Sequence, residues 1–175
     1  MRHATTRGAS SKVNKNINYF ESPRLIYREI CADDAENIVR WRSTPLIYKF
    51  FRKPKPLSLE EHLEWYKQKY LMDQARSDYI IIHRESKSPI GVISVSDLKD
   101  HTLQINYMIG ESSYQKQGYA VESINAALDN FSKIGITHFF AEIHTNNIAS
   151  IKTAEKCGFS FSRHLHENFL LYKKQ

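Results

Sequence analysis

The sequence predicts an α+β fold on one mixed, mostly antiparallel central sheet flanked by helices, and three observations carry that prediction. Strand-like runs and helical repeats interleave in the order βααβββαβαββ, which is neither doubly wound nor all-β. Three consecutive strand-like runs, 79–83, 90–95 and 103–109, are separated by short breaks and read as an antiparallel meander. The chain has 175 residues, 41% of them hydrophobic and 12% aromatic, enough for one core without disulfide or metal staples. No segment repeats, so residues 23–175 read as a single domain behind a disordered basic tail, 1–22.

Each element has a local reason. Arg24 to Ile30 alternates around Leu25, Tyr27 and Ile30 and reads as a strand. Asp33 followed by Glu36 is a capping-box spacing, with Ile38, Trp41 and Leu46 as the buried side of the helix it opens. Pro54 and Pro56 make Lys49–Pro56 a loop. Ser58-Leu59-Glu60-Glu61 is a second capping box, and Leu59, Leu63, Tyr66 and Tyr70 give its helix an apolar face. After the meander, Val121, Ile124, Leu128, Phe131 and Ile134 recur at helical spacing over about 119–134, stopping near Gly135. A strand at 139–144 follows. Asn147 then caps a helix to Lys156 with Ile148, Ile151 and Ala154 inward and Gly158 as the stop, and strands near 159–163 and 169–173 end the chain.

The stretch Gln115-Lys116-Gln117-Gly118-Tyr119-Ala120 lies between a strand and a helix start. That geometry aims unpaired backbone N–H groups and the positive end of a helix dipole at one point, where a phosphate binds well. One glycine in a loop is a weak signal by itself. The later segment Asn147-x-x-Ser150 with Glu155-Lys156-x-Gly158-Phe159 makes the pair specific. Together the two segments resemble the GNAT family of N-acetyltransferases, in its RimJ/RimL-like branch. Gln115, Gly118 and Ala120 match the family's Gln/Arg-x-x-Gly-x-Gly/Ala loop, and the resemblance spans residues 23–173.

The resemblance implies acetyl-CoA as co-substrate, inserted where the strands 103–109 and 139–144 diverge. Backbone groups near Met108 and Ile109 would pair with the pantetheine arm. The pyrophosphate would rest on the loop 115–120, on the N–H groups of Gln117, Gly118, Tyr119 and Ala120, with Lys116 and Lys152 near its charge. Asn147 either caps its helix alone or caps it and also bonds the pantetheine arm. A primary amine would attack the thioester directly. Such an amine has a pKa of about 10.4 and arrives protonated, so a base is needed. Glu142 is the first candidate and His144, two residues along the same strand face, the second. Two departures from the family bear on catalysis. Many relatives carry a proton-donating Tyr where Ala154 stands, leaving Ser150 as the nearest hydroxyl, and many carry Glu where Gln104 stands.

The implied function is acetyl transfer to a protein N-terminal amine or a small amine. Trp41-Arg42, Phe50-Phe51-Arg52 and Ser58 to His62 also look similar to acetyltransferases acting on nucleotide-linked amino sugars, with Arg52 and Lys53 beside two Phe suited to a nucleotide. A non-catalytic CoA-binding module is the reading that Gln104 and Ala154 support, against the intact cofactor loop.

Charge argues against a nucleic-acid partner. Of the net +6, four charges come from Arg2, Arg7, Lys12 and Lys15, ahead of the first acid, Glu21. The rest is near balance and carries no basic stripe. Cys31 and Cys157 have no metal spacing, so no metal and a reduced, cytoplasmic chain are expected. No apolar run approaches the roughly 20 residues that span a bilayer, so no membrane association is expected. A homodimer is compatible with this reading.

Overall fold

The computed structural model describes residues 18–99 and 101–175. The strands are β1 (Tyr19–Glu21), β2 (Leu25–Glu29), β3 (Ser77–His83), β4 (Pro89–Lys99), β5 (Thr102–Ile109), β6 (His138–His144), β7 (Ser160–His164) and β8 (Phe169–Lys174). The helices are α1 (Ala35–Arg42), α2 (Pro45–Tyr48), α3 (Leu59–Gln68), α4 (Tyr119–Ser132) and α5 (Ile148–Lys156). All eight strands form one sheet in the order β1-β2-β3-β4-β5-β6-β8-β7. Every neighbouring pair is antiparallel except β5 with β6, whose parallel run needs a crossover that α4 supplies. The mixed α+β architecture is the predicted one.

Strand alternation divides the core in two. Leu103, Ile105, Phe139, Ala141 and Ile143 pack on one face with Ile124, Leu128 and Phe131 of α4 and Ala154 of α5. Ile80, Val92 and Met108 face the other way, against Ile38 and Trp41 of α1 and Trp65 and Tyr66 of α3.

Four local expectations need correction. The tail expected to run to residue 22 gives way at Tyr19 to β1, where Phe20 stacks on Tyr27 at 4.4 Å; residues 1–17 lie outside the described residues. The first helix stops at Arg42, because Pro45 disfavours helical Thr44 and opens α2 at its own first position. Leu46 is accordingly 72% exposed rather than core. On α3 the inward face is His62, Trp65 and Tyr66, and Leu59 is exposed. His62 is 3% exposed and stacks on Trp65, and burial first, then nearby Arg42, holds its imidazole below the ordinary value. On α5 Ile148 points outward while Ala154 is buried.

The first capping interaction is also displaced. Asp34, not Glu36, reaches back, accepting from the Cys31 amide at 2.8 Å and from both Arg28 terminal nitrogens at 2.7 Å. Burial would raise the Asp34 carboxyl, but Arg28 and the Cys31 amide together hold it below its usual range. A carboxylate depressed in the folded state adds stability that is complete above the unfolded-state pKa and is lost as pH falls through the folded value. Asp34→Ala is therefore expected to cost about 2 kcal/mol at pH 7, Arg28 being partly solvated. In urea titrations the gap from wild type should begin to narrow below about pH 4 and shrink further as pH falls through the depressed folded value. A gap that stays constant over that range would show that the charge is not what stabilises this turn.

Candidate active site

The strands β5 and β6 pair only at Thr102–Gln104 with His138–Phe140. Beyond that point β5 keeps its partner β4 to Ile109 and β6 keeps β8 to His144. Their inner edges separate, leaving backbone with no strand partner on that side along Ile105–Ile109 and Ala141–His144. The divergence expected of these two strands is present.

A bulge closes the end of β5. The amides of Gly110 and Glu111 both donate to the Ile90 carbonyl, at 2.8 and 3.1 Å, which bends the strand. Helix α1 is docked onto this bend: Trp41 Nε1 donates to Glu111 at 2.9 Å and Arg40 pairs with the same carboxylate. The approach is so close that a Cβ on Gly110 would lie 2.1 Å from Trp41 Cγ. The carbonyl of Met108 lies against Gly91, where an added Cβ would meet it at 2.1 Å, so that group faces β4. Strand alternation turns the backbone of Ile109 to the opposite, open side. The Ile109 carbonyl accepts from Gln115 Nε2 at 2.9 Å, tying the loop to the strand end.

From there the loop climbs to α4. Gln117 Nε2 donates to the Ser113 carbonyl, Lys116 has φ +60° and Gly118 has φ +83°, the left-handed conformation that favours glycine. Among the described residues, nothing accepts from the amides of Gln117, Gly118, Tyr119 or Ala120. Four donors with no internal acceptor, at the start of a 14-residue helix, make an anion cradle. Tyr119 under the loop is locked by its hydroxyl to His83 Nε2 at 3.2 Å and packs beside Tyr114.

On the other side of the opening, Asn147 Oδ1 accepts from the Ser150 amide at 3.2 Å, capping α5, while its Nδ2 has no partner among the described residues. The cap and a bond to a guest use different atoms and do not compete. The Ser150 carbonyl accepts from the Tyr107 hydroxyl at 2.9 Å. Burial pushes the Tyr107 phenol well above its ordinary value, so it keeps its proton as a donor. Buried Cys157, pushed up to about 11 by burial, remains a thiol.

Glu142 and His144 share the sheet face opposite Ala141 and Ile143, as strand alternation predicted. Glu142 Oε2 accepts from Arg52 at 2.5 Å, and the same guanidinium reaches Glu167 at 3.0 Å and lies 4.4 Å from the Phe169 ring centre. The His144 ring stands between Phe50, at 5.8 Å, and Phe169, at 5.4 Å. Its Nδ1 accepts from the Asn146 amide at 3.1 Å, which assigns the proton of the neutral ring to Nε2. The segment between α2 and α3 is thereby strapped across the opening by Arg52. Among the sequence-predicted residues, Glu142 and His144 meet on one wall, Asn147 and Ser150 cap α5, and Gln115 to Ala120 form the loop. Lys116 and Lys152 are exposed.

Sequence reasoning passed over Arg24 and Tyr107. Arg24 reads as an ordinary strand start, and no local signal joins it to α4, where it binds Glu122 at 2.6 Å.

An opening between strands beside a loop of unpaired amides can take an extended chain with an anionic end. The model of the acetyltransferase (GNAT) domain matches residues 24–160. An uncharacterized protein of Methanocaldococcus jannaschii is 35% identical over 156 residues, 87% of this chain, which itself spans only 31% of that protein's length. The crystal structure of a domain from Methanocaldococcus jannaschii superposes with a TM-score of 0.78 at 34% identity, covering 86% of this chain and 97% of that one. RimL, a ribosomal L7/L12 α-N-protein acetyltransferase solved with coenzyme A, shares the fold at a TM-score of 0.74 and 20% identity, covering 87% and 94%. The chain belongs to the GNAT acetyltransferase family. The four unpaired amides at the start of α4 are donors of the kind a diphosphate would need. Among the described residues no cluster of ligating side chains suits a metal ion, and no helix is long and apolar enough to cross a membrane.

Proposed function

We propose that this chain acetylates a primary amine carried by an anionic, ring-bearing molecule, best matched by a nucleotide-linked amino sugar. The observation that carries this reading is the strap over the opening. Lys49, Phe50, Phe51, Arg52, Lys53 and Lys55 stand within seven residues that contain no acid. Lys49 and Lys53 are exposed, and Phe50 reaches the His144 ring inside the opening. Arg52 is paired with Glu142 and Glu167 and Lys55 with Glu61, so the cations there without a carboxylate partner among the described residues are Lys49 and Lys53, and beside aromatic faces they suit phosphate together with a stacked base.

In this reading Glu142 takes the proton of the attacking amine, directly or through one water. His144 presents an Nε2 proton and so serves as a hydrogen-bond donor rather than as the base. The amides of Gln117, Gly118, Tyr119 and Ala120 hold the diphosphate, Gln115 fixes the loop to the Ile109 carbonyl, and Asn147 Nδ2 is free for the pantetheine arm. Acetyl-CoA supplies the activated acyl group. Ser150, whose amide and carbonyl are committed to Asn147 and Tyr107, keeps its hydroxyl available as a hydrogen-bond donor to the departing thiolate, which takes up the proton that Glu142 removes from the amine, through solvent.

A thiol-release assay over three acceptor classes tests this. A nucleoside-diphosphate amino sugar should turn over fastest, ahead of a peptide with an acidic N-terminal sequence and of spermidine. Raising salt should weaken KM for the sugar nucleotide, since exposed charges are screened. Fastest turnover with spermidine would reverse the assignment of the strap, and peptide preference would return the protein-N-terminal reading.

A further inference from the structure

The loop that carries the unpaired amides is braced from behind by a side chain at the far end of the sequence. Arg24, at the entry to β2, binds Glu122 of α4 twice: Nε to Oε2 at 2.6 Å and its own amide to Oε1 at 2.8 Å. Ser22 adds a third bond to Glu122 at 2.7 Å. Held in this way, the guanidinium lies 4.2 Å from the Tyr119 ring centre and donates from its NH1 nitrogen to the Gln117 carbonyl at 3.2 Å.

Two consequences follow from elementary geometry and charge. A trans peptide is planar, so its C=O and N–H point in opposite directions. Drawing the Gln117 carbonyl towards Arg24 therefore turns the Gly118 N–H to the other side, where it finds no protein acceptor. The second consequence is electrostatic. Glu122 stands in the first turn of α4, and its carboxylate would repel an anion bound at that helix start. Arg24 cancels that charge.

We propose that Arg24 is a positioning residue for the diphosphate of the acyl carrier, setting the Gln117–Gly118 peptide and neutralising Glu122 without touching the reacting atoms. The proposal rests on the reading of residues 115–120 as the diphosphate site. A tie that merely fastened the β1–β2 turn to α4 would affect every ligand of the opening alike. A positioning role is confined to ligands that carry the diphosphate.

The experiment compares CoA with pantetheine, which lacks the diphosphate, by calorimetric or NMR titration of wild type, Arg24→Gln and Arg24→Lys. Arg24→Gln should raise Kd for CoA roughly tenfold or more, the loss expected for a charge-assisted hydrogen bond. Its Kd for pantetheine should stay within about twofold of wild type, which is below the loss of one neutral hydrogen bond. Arg24→Lys keeps the charge and loses the fork, so its CoA affinity should fall between the two. Should the Gln variant fail to fold, the Lys variant carries the same two-ligand comparison. Equal weakening of both ligands, or CoA binding as tight as wild type, overturns the role of Arg24. Wild type binding CoA no more tightly than pantetheine would overturn the loop reading itself, and the proposal with it.

Discussion

Gly118→Val is expected to abolish the rise in melting temperature that saturating acetyl-CoA produces in the wild-type protein. A ligand that binds only the folded state stabilises it by RT ln(1 + [L]/Kd), about 2.7 kcal/mol at a hundredfold excess over Kd. Backbone strain removes this in the variant. At φ +83° a β-branched residue is strained, so the loop must rearrange and carry its amides with it. Among the described residues other than its chain neighbours, the atom nearest to the position of the new Cβ is Arg24 Nη2 at 3.5 Å, an ordinary contact. The stability without ligand should therefore fall by only about 1–3 kcal/mol, the cost of the strained backbone. An undiminished thermal shift in a folded Gly118→Val protein would show that the diphosphate rests elsewhere.

Glu142→Gln should lower kcat by roughly two to three orders of magnitude while leaving KM for acetyl-CoA nearly unchanged, the signature of a lost general base. The isosteric amide keeps the position on β6 and can still accept from Arg52, but it cannot take a proton. Arg52 also retains Glu167 at 3.0 Å, so the strap stays in place. An exposed pair of this kind contributes about 0–1 kcal/mol, and the variant should fold normally. His144→Asn and Ser150→Ala serve as comparisons, each expected to cost less than about tenfold in kcat. If His144→Asn proves the more damaging change, the proton goes to the imidazole and Glu142 serves to hold Arg52.

Part of this fold and site is legible in the sequence and part is not, and particular residues show why. The capping box at Ser58–Glu61, the α4 repeat from Val121 to Phe131 and the Asn147 cap all rest on neighbours within four residues, and each appears in the structure. β1 escaped notice because three residues with a single inward side chain carry no period. Tyr66 packs inward from α3 and Tyr70 just beyond it, as their spacing predicts, whereas Leu59 is exposed and His62 is buried against Trp65, a ring contact that a ranking by apolarity does not register. The capping interaction at Asp34 depends on Arg28, six residues away on the preceding strand.

By itself the sequence determined the strands and helices other than β1 and α2, and that a glycine loop opens α4, because those choices depend on dihedral preferences and side-chain periods a few residues long. It also carried the family, through two short motifs in the right order. Only the tertiary structure decided that β5 and β6 part after Gln104, that Arg24 meets Glu122, and that Arg52 crosses the opening to Glu142. Those partners lie 98 and 90 residues apart, and nothing within one segment states which distant charge the order of strands will bring beside it.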